Sequence, residues 1–448
     1  MNDKESKAAK SSTMVDLFRS STAYINAHRG KIFVVFLSGE ALAHENLANV
    51  VYDLTLLHSL GVKLVLVYGS RPQISAALAK RNITSEYHNN LRVTTTESID
   101  SIKQEVGKLG IELEALFSLG TSKSPMHGAD IRIVRGNFVN ARPVGVHDGI
   151  DFHFTGKVRR VQTAIIEQQL NLNNIVLLSN LGYSVTGEVY NLSAEELATE
   201  VAIALKSEKL ILMIPGTGVT DPEGKLITAL SESDAEYHLD RLASEADEES
   251  QATCHALQAA LQAYKANVHR CHLISYKENG ALLEELFTRE GHGSLLSSDS
   301  FHVLRKATLS DVTGIMALIK PLEDDGTLVP RSLELLENEI ENFMVGELEE
   351  VVIACAALYP INNSYAEIAC IAIHPDYRKN GYGERLLASL QTEARNAGFE
   401  KVLVLTTVTQ HWFLEHGFDE VSIEELPAEK QALYNLQRKS KVLVKTLA

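Results

Sequence analysis

The stretch YRKNGYGERLL, residues 377–387, follows the apolar run EIACIAI at 367–373 and leads into leucines at 386, 387 and 390. An arginine, two glycines two apart and the start of a helix form a combination suited to an anion. The first turn of a helix carries backbone N–H groups without intrahelical partners. Together with the helix dipole, those groups favour a phosphate. Glycines at 381 and 383 let the backbone approach the anion with no Cβ between, and Arg378 adds a fixed positive charge. The stretch reads as a pyrophosphate cradle. Taken alone, the same residues also suit an ordinary strand–helix turn.

Composition narrows the classes. The chain has 448 residues, 45% of them hydrophobic, and a formal net charge of −16. That charge argues against broad binding of a nucleic-acid backbone, which needs clustered Lys and Arg. It also means that an anionic ligand needs a local basic pocket. No uninterrupted apolar run has membrane-spanning length, and the polar stretch from Met1 to Ser12 lacks an apolar signal core. Cys254, Cys271, Cys355 and Cys370 show no CxxC spacing, and the last two sit in apolar runs, which suggests buried reduced thiols. No His, Cys, Asp or Glu cluster has metal-ligand spacing, so no metal is expected. A cytoplasmic protein, without nucleic-acid or membrane partners, is the expectation.

The elements that must position the cradle are legible as periodicity. IFVVFL at 32–37, KLVLVY at 63–68, NIVLLSN at 174–180, KLILMI at 209–214 and CHLIS at 271–275 are short, apolar and rich in branched residues, as buried strands are. Between them lie helical patterns: Leu47, Val50, Val51, Leu54 and Leu57 fall on one stripe, and Pro72 suits a first helical turn. This alternation predicts a mostly parallel sheet with helices on both faces. GSLLSSDS at 293–300 is small and polar and reads as a linker. Beyond it come Ser310 as a helix N-cap, strands near 351–358 and 367–373, a helix over about 382–397 with Leu386, Leu387, Leu390 and Ala394 inward, and a strand at 401–407. The expected division is a tail at 1–12, a first domain at 13–292, a linker at 293–302 and a second domain at 303–448.

Arg378-x-x-Gly381-x-Gly383, set between a strand and a leucine-rich helix, resembles the acetyl-CoA signature of the GNAT family of N-acetyltransferases. RKATLSD at 305–311 and HWFLEHGF at 411–418 extend the likeness over 303–448. Residues 22–292 resemble the amino-acid kinase fold through NNLRVT at 89–94 and through RCHLIS and LLEELFTREGHGS within 270–294. The two together resemble the bacterial N-acetylglutamate synthase family. The resemblance implies a three-layer α/β/α kinase-like domain joined to an α/β acetyltransferase domain. It also implies acetyl transfer from acetyl-CoA to the α-amine of L-glutamate, with L-arginine as feedback effector.

The resemblance further implies roles for particular residues. Backbone groups of Cys370, Ile371, Ala372 and Ile373 would pair with the pantetheine arm, and Leu405 would lie beside the acyl thioester. Glu367 would be the base, and Thr406 would assist the leaving thiolate in place of the tyrosine that many such enzymes carry where Phe413 stands. Arg331, Arg438 and Ser440 would hold the substrate carboxylates, arginine's fork suiting a carboxylate better than lysine does. Tyr24, His272, Glu285 and Gly291 would form the arginine site, with Glu285 as the acceptor of the guanidinium. Phe36, Tyr68-Gly69-Ser70-Arg71 and Glu195 stand where the kinases carry a lysine, a triple glycine and an aspartate, so the kinase-like domain is expected to transfer no phosphoryl group. Residues 13–28 would form a helix that joins dimers into a homo-hexamer.

Overall fold

Strand β1 (Ile32–Leu37) is buried along five of its six residues, as a central strand covered on both sides must be. The fold described is that of a computed structural model, which describes residues 21–88, 90–118, 128–288, 291–297, 303–348, 351–375, 382–431 and 440–447. The chain forms two units that divide between 299 and 300.

In unit one, β1 runs parallel to β2 (Lys63–Tyr68) on one side and to Lys209–Ile214 on the other. Among the described residues the sheet has eight strands. From one edge they are Ala229–Leu230, Gly293–Ser297, Arg270–Ser275, Lys209–Ile214, β1, β2, Ile175–Ser179 and Ile133–Val134. Alternate residues of β1 feed opposite layers. Phe33 and Val35 pack with Val50, Leu54 and Leu57 of helix α1 (Leu47–Ser59) and with Leu282 and Leu286 of helix α2 (Ala281–Phe287). Val34 and Phe36 pack with Leu197, Val201 and Leu257 on the other face. The expected helix–sheet–helix sandwich is present. A second sheet, of four strands among the described residues, spans Val139–Pro143, Gly156–Val161, Leu181–Tyr183 and Val189–Asn191.

The linker reading of 293–297 is corrected. Gly293–Ser297 is a strand, antiparallel to Arg270–Ser275, with Leu296 opposite Cys271. Its small polar residues serve close packing. A Cβ on Gly293 would stand 2.4 Å from the Leu273 carbonyl oxygen. Buried Ser294 accepts from the Val219 N–H at 2.8 Å and donates to the Ile227 carbonyl at 2.6 Å. Polar composition here reports a satisfied interior strand, which local pattern does not distinguish from a loop.

Unit two is built on a sheet that has seven strands among the described residues. Its strands are, in spatial order, Val303–Lys306, Phe343–Leu348, β3 (Val351–Pro360), β4 (Tyr365–Ile373), β5 (Lys401–Thr406), β6 (Lys441–Thr446) and Asp419–Glu420. Helix α3 (Val312–Asp324) covers one face through Val312, Ile315 and Ile319. Helix α4 (Tyr382–Asn396) covers the other through Leu386, Leu387, Leu390 and Ala394, the stripe predicted. Arg305 grips Asp311 with two bonds, 2.7 and 2.8 Å, and also meets Glu347. This clamp, with the Thr308 N–H, holds the Asp311 carboxyl down to about 2. Among the described residues no helix is long and apolar enough to cross a membrane.

Candidate active site

Strands β4 and β5 are parallel neighbours only at their start. Tyr365, Ala366 and Glu367 pair with Lys401, Val402 and Leu403. Beyond them β4 continues along β3 to Ile373 while β5 continues along β6 to Thr406. The edge of β4 from residue 368 onward therefore lacks a β5 partner. The strand is also bulged there. Ala357 pairs with Ala369 and Cys355 with Ala372, so Cys370 and Ile371 oppose the single Ala356. Cys370 takes φ +54°, in the left-handed region. A bulge of this kind re-aims the backbone and side chains next to it. Burial pushes the Cys370 thiol up to about 11, so it is a neutral lining group.

Polar groups from distant segments converge on this bulge. Glu367 pairs with Tyr359 across the sheet, which places both side chains on the α3 face. The Glu367 carboxylate bonds the ammonium of Lys430, and both side chains are largely buried. Tyr359 donates its hydroxyl to Glu339 at 2.8 Å. Arg331 donates its backbone N–H to Glu323, a buried carboxylate, at 2.8 Å, and its guanidinium to the Val329 carbonyl at 3.1 Å. Burial works against that guanidinium's charge, but Cys370, Tyr359 and Glu339 close by raise its pKa. The same neighbourhood appears from the other side, since Arg331, Glu323, Glu367 and Glu339 all act on Cys370.

The remaining expected residues divide in three ways. Thr406 ends β5 and holds the turn after it: its hydroxyl oxygen accepts from the N–H of Val408 at 3.3 Å and of Thr409 at 3.0 Å. Ser440 immediately precedes β6, whose first residue, Lys441, pairs with Thr406. Leu405 points to the opposite face, with Leu403, Leu426 and Val442. Gly383 has a packing reason to be glycine, because a Cβ there would lie 3.0 Å from Trp412 and 3.2 Å from Ile373. Phe413 is buried in the α4 layer. Arg378, Gly381 and Arg438 lie outside the described residues. Sequence reasoning missed Tyr359, Glu339, Glu323 and Lys430. ALYP reads only as a strand end and PAEK only as a charged surface, so neither carried a signal.

In unit one, His272, Glu285 and Gly291 meet. His272 Nδ1 lies 2.7 Å from Glu285 Oε1, with both side chains almost fully buried. The other oxygen accepts from the His292 N–H at 2.7 Å. Gly291 has φ +66°, and a Cβ there would stand 2.6 Å from that oxygen. Burial opposes ionisation of Glu285, but His272, the His292 N–H and Lys209 hold its carboxyl below the usual range. Lys209, also missed, lies 3.4 Å from His272 Nε2. Tyr24 sits on the helix Thr22–His28, one turn from His28, whose Nε2 contacts the Leu286 carbonyl of α2 at 2.9 Å. Residues 13–20 of the expected N-terminal helix lie outside the described residues. At the ends of β1 and β2, Phe36 is buried, and a Cβ on Gly69 would meet its ring at 3.7 Å and the Gly39 nitrogen at 3.4 Å. Ser70 donates to Asn180 at 2.7 Å.

Fold and site together define an acyl-transferring unit joined to a kinase-like body. The Amino acid kinase family matches residues 31–275, and the Acetyltransferase (GNAT) family matches residues 315–418. An amino-acid acetyltransferase of Ectopseudomonas mendocina (strain ymp) is 50% identical over 434 residues, covering 97% of this chain and 99% of that protein. One from Serratia proteamaculans (strain 568) is 46% identical over 439 residues, covering 98% and 99%. The crystal structure of N-acetylglutamate synthase from Neisseria gonorrhoeae complexed with coenzyme A and L-arginine superposes with a TM-score of 0.84 at 34% identity, covering 97% of this chain and 99% of that one. The same enzyme complexed with coenzyme A and N-acetyl-glutamate gives 0.60 at 35% identity, with the same coverage. The chain belongs to the amino-acid acetyltransferase family and is an acyltransferase.

Proposed function

We propose that the protein transfers acetyl from acetyl-CoA to the α-amine of L-glutamate, giving N-acetyl-L-glutamate and CoA, the first step of arginine biosynthesis. We further propose that L-arginine bound in unit one inhibits it. The carrying observation is the bulged length of β4 that follows Glu367, where pairing with β5 ends and Cys370 takes φ +54°. The solved relatives hold coenzyme A with either L-arginine or N-acetyl-glutamate, which supports the same substrate, product and effector here.

In this reading Arg378, Gly381 and Gly383 receive the diphosphate, and the edge at Cys370–Ile373 that β5 leaves unpaired receives the pantetheine arm beside Leu405. Arg331, Arg438 and Ser440 seat the carboxylates of glutamate. Glu367 takes a proton from the ammonium, directly or through a water, so that the amine can attack the thioester carbonyl. Backbone N–H groups of the splayed strand stabilise the oxyanion. The C–S bond then breaks, the nitrogen loses its second proton to solvent, and the thiolate takes a proton from solvent or from Thr406, which solvent then reprotonates. Alignment of the two substrates contributes much of the acceleration.

Steady-state thiol release tests the proposal. It predicts release that depends on glutamate and falls with added arginine. Glu367→Gln should lower kcat by roughly 100-fold or more, the ordinary contribution of a general base, with the KM for acetyl-CoA little changed. Arginine binding without any glutamate-dependent release would instead indicate a pure sensor. The proposed assembly is a homo-hexamer joined through residues 13–28, which light scattering checks.

A further inference from the structure

We infer that Trp412 is a positioning residue for the coenzyme: its indole seats the first turn of α4 against the end of β4 and so fixes the backbone groups that meet the diphosphate. The inference rests on the reading of Gly383 and its neighbours as the diphosphate site given above.

A helix start holds an anion through N–H groups that have no intrahelical partner. Hydrogen bonds weaken steeply with misalignment, and the dipole acts only over the first turn. Affinity therefore depends on how firmly that turn is seated. Two neighbouring residues of α4 differ in this respect. Tyr382 is buried and packs with Ile353 of β3 and Ile373 of β4. Gly383 has no side chain with which to grip the sheet. Trp412 supplies the missing contact. A Cβ on Gly383 would lie 3.0 Å from Trp412 Cζ2, 3.6 Å from Cη2 and 3.2 Å from Ile373 Cδ1. One edge of the indole and the last side chain of β4 thus close on the bare backbone of that turn.

The indole is itself held. Trp412 lies on the short helix Gln410–Glu415. Its ring lies over His416 with centroids 4.4 Å apart and meets Phe413 edge-on with centroids 4.9 Å apart. His416 Nδ1 donates to the Trp412 carbonyl at 2.7 Å, and the His416 carbonyl accepts from Lys445 of β6 at 2.7 Å. The other end of the same short helix is tied to β5, because the N–H of its N-cap, Thr409, donates to Thr406 at 3.0 Å. A single element therefore runs from the turn that Thr406 holds to the start of α4. It is fixed to the sheet at both ends, so the indole is a firm stop for the helix. Trp412 touches α4 and acts on the coenzyme only through it.

The test compares Trp412→Phe, Gly383→Ala, the two combined, and Arg378→Ala in the full-length enzyme, measuring kcat and KM for acetyl-CoA and for glutamate. Phenylalanine leaves a gap at Gly383, and alanine at 383 crowds the indole. Each single change should raise the KM for acetyl-CoA roughly 3-fold or more, misplacement by about 1 Å costing up to about 100-fold. The kcat and the KM for glutamate should hardly move, as for a lost binding contribution. In the combined variant the added methyl takes space that the smaller ring vacates, so the KM for acetyl-CoA should return toward the wild-type value. If the phenylalanine variant does not fold, Gly383→Ala decides. It should raise that KM and also shift the emission of Trp412, the only tryptophan of the chain, in the free protein. Either effect missing overturns the inference. If the single changes leave the KM for acetyl-CoA unmoved, or if their effects multiply in the combined variant, while Arg378→Ala raises it, the positioning role is overturned and the diphosphate reading stands. If Arg378→Ala leaves it unchanged, the diphosphate reading falls, and this inference with it.

Discussion

Single side chains here owe their character to burial and to partners that the local sequence does not announce. Glu367 is a strand residue whose carboxylate meets Lys430, so the base of the proposed reaction begins in contact with a cation. Substrate must rearrange that pair or work beside it. Lys430→Met should therefore change kcat/KM for glutamate while leaving the KM for acetyl-CoA little moved, and unchanged kinetics would show that the pair has no part in turnover. Asp53 shows the opposite situation. It is buried on α1, and desolvation raises its pKa from 3.8 to about 6. The unfolded chain ionises at lower pH than the folded one, so Asp53 reduces stability as pH rises from about 4 to about 6, and the loss persists above that. Asp53→Asn should stabilise unit one by about 1–3 kcal/mol near pH 7.5 and by almost nothing near pH 4. Equal melting shifts at both pH values would refute this assignment.

At the scale of elements, α4 performs two tasks with one helix. Its inner stripe buries Leu386, Leu387, Leu390 and Ala394 against the sheet, and its first turn follows the proposed diphosphate site. Truncating a fully buried leucine removes transfer energy and leaves a cavity. Leu390→Ala should cost unit two about 2–5 kcal/mol in denaturant unfolding, and a change well under 1 kcal/mol would mean that the stripe does not support the sheet. The stripe was readable because it is periodic within one segment. The reason for Gly383 was not readable. A glycine in a helix start suggested approach to an anion, whereas its missing Cβ also makes room for Trp412, a residue far along the chain. Gly293–Ser297 misled for a related reason, since small polar residues mark loops until a neighbouring strand satisfies them.

At the scale of the whole chain, the proposed regulation couples a ligand in unit one to turnover in unit two. The Glu285 carboxylate is held by His272 and by the His292 N–H, in a geometry that only a glycine at 291 permits. Gly291→Ala brings backbone strain at φ +66° together with a clash. It should remove arginine binding in calorimetry and the arginine-dependent fall in thiol release. Retained binding would move the effector site elsewhere. The sequence by itself determined the division into two units, the parallel sheet of unit one and the strand and leucine-striped helix of unit two, because each is written in local periodicity within one segment. It also singled out Glu367, Arg331, His272 and Glu285 through family resemblance. Only the tertiary structure decided that Tyr359 pairs with Glu367 across the sheet and donates to Glu339, that Glu323 holds the Arg331 backbone, that Lys430 meets Glu367, and that Lys209 stands beside His272. Those groups lie far apart along the chain, and a polar side chain acquires its partner, its burial and its charge state only when the sheet has brought the segments together.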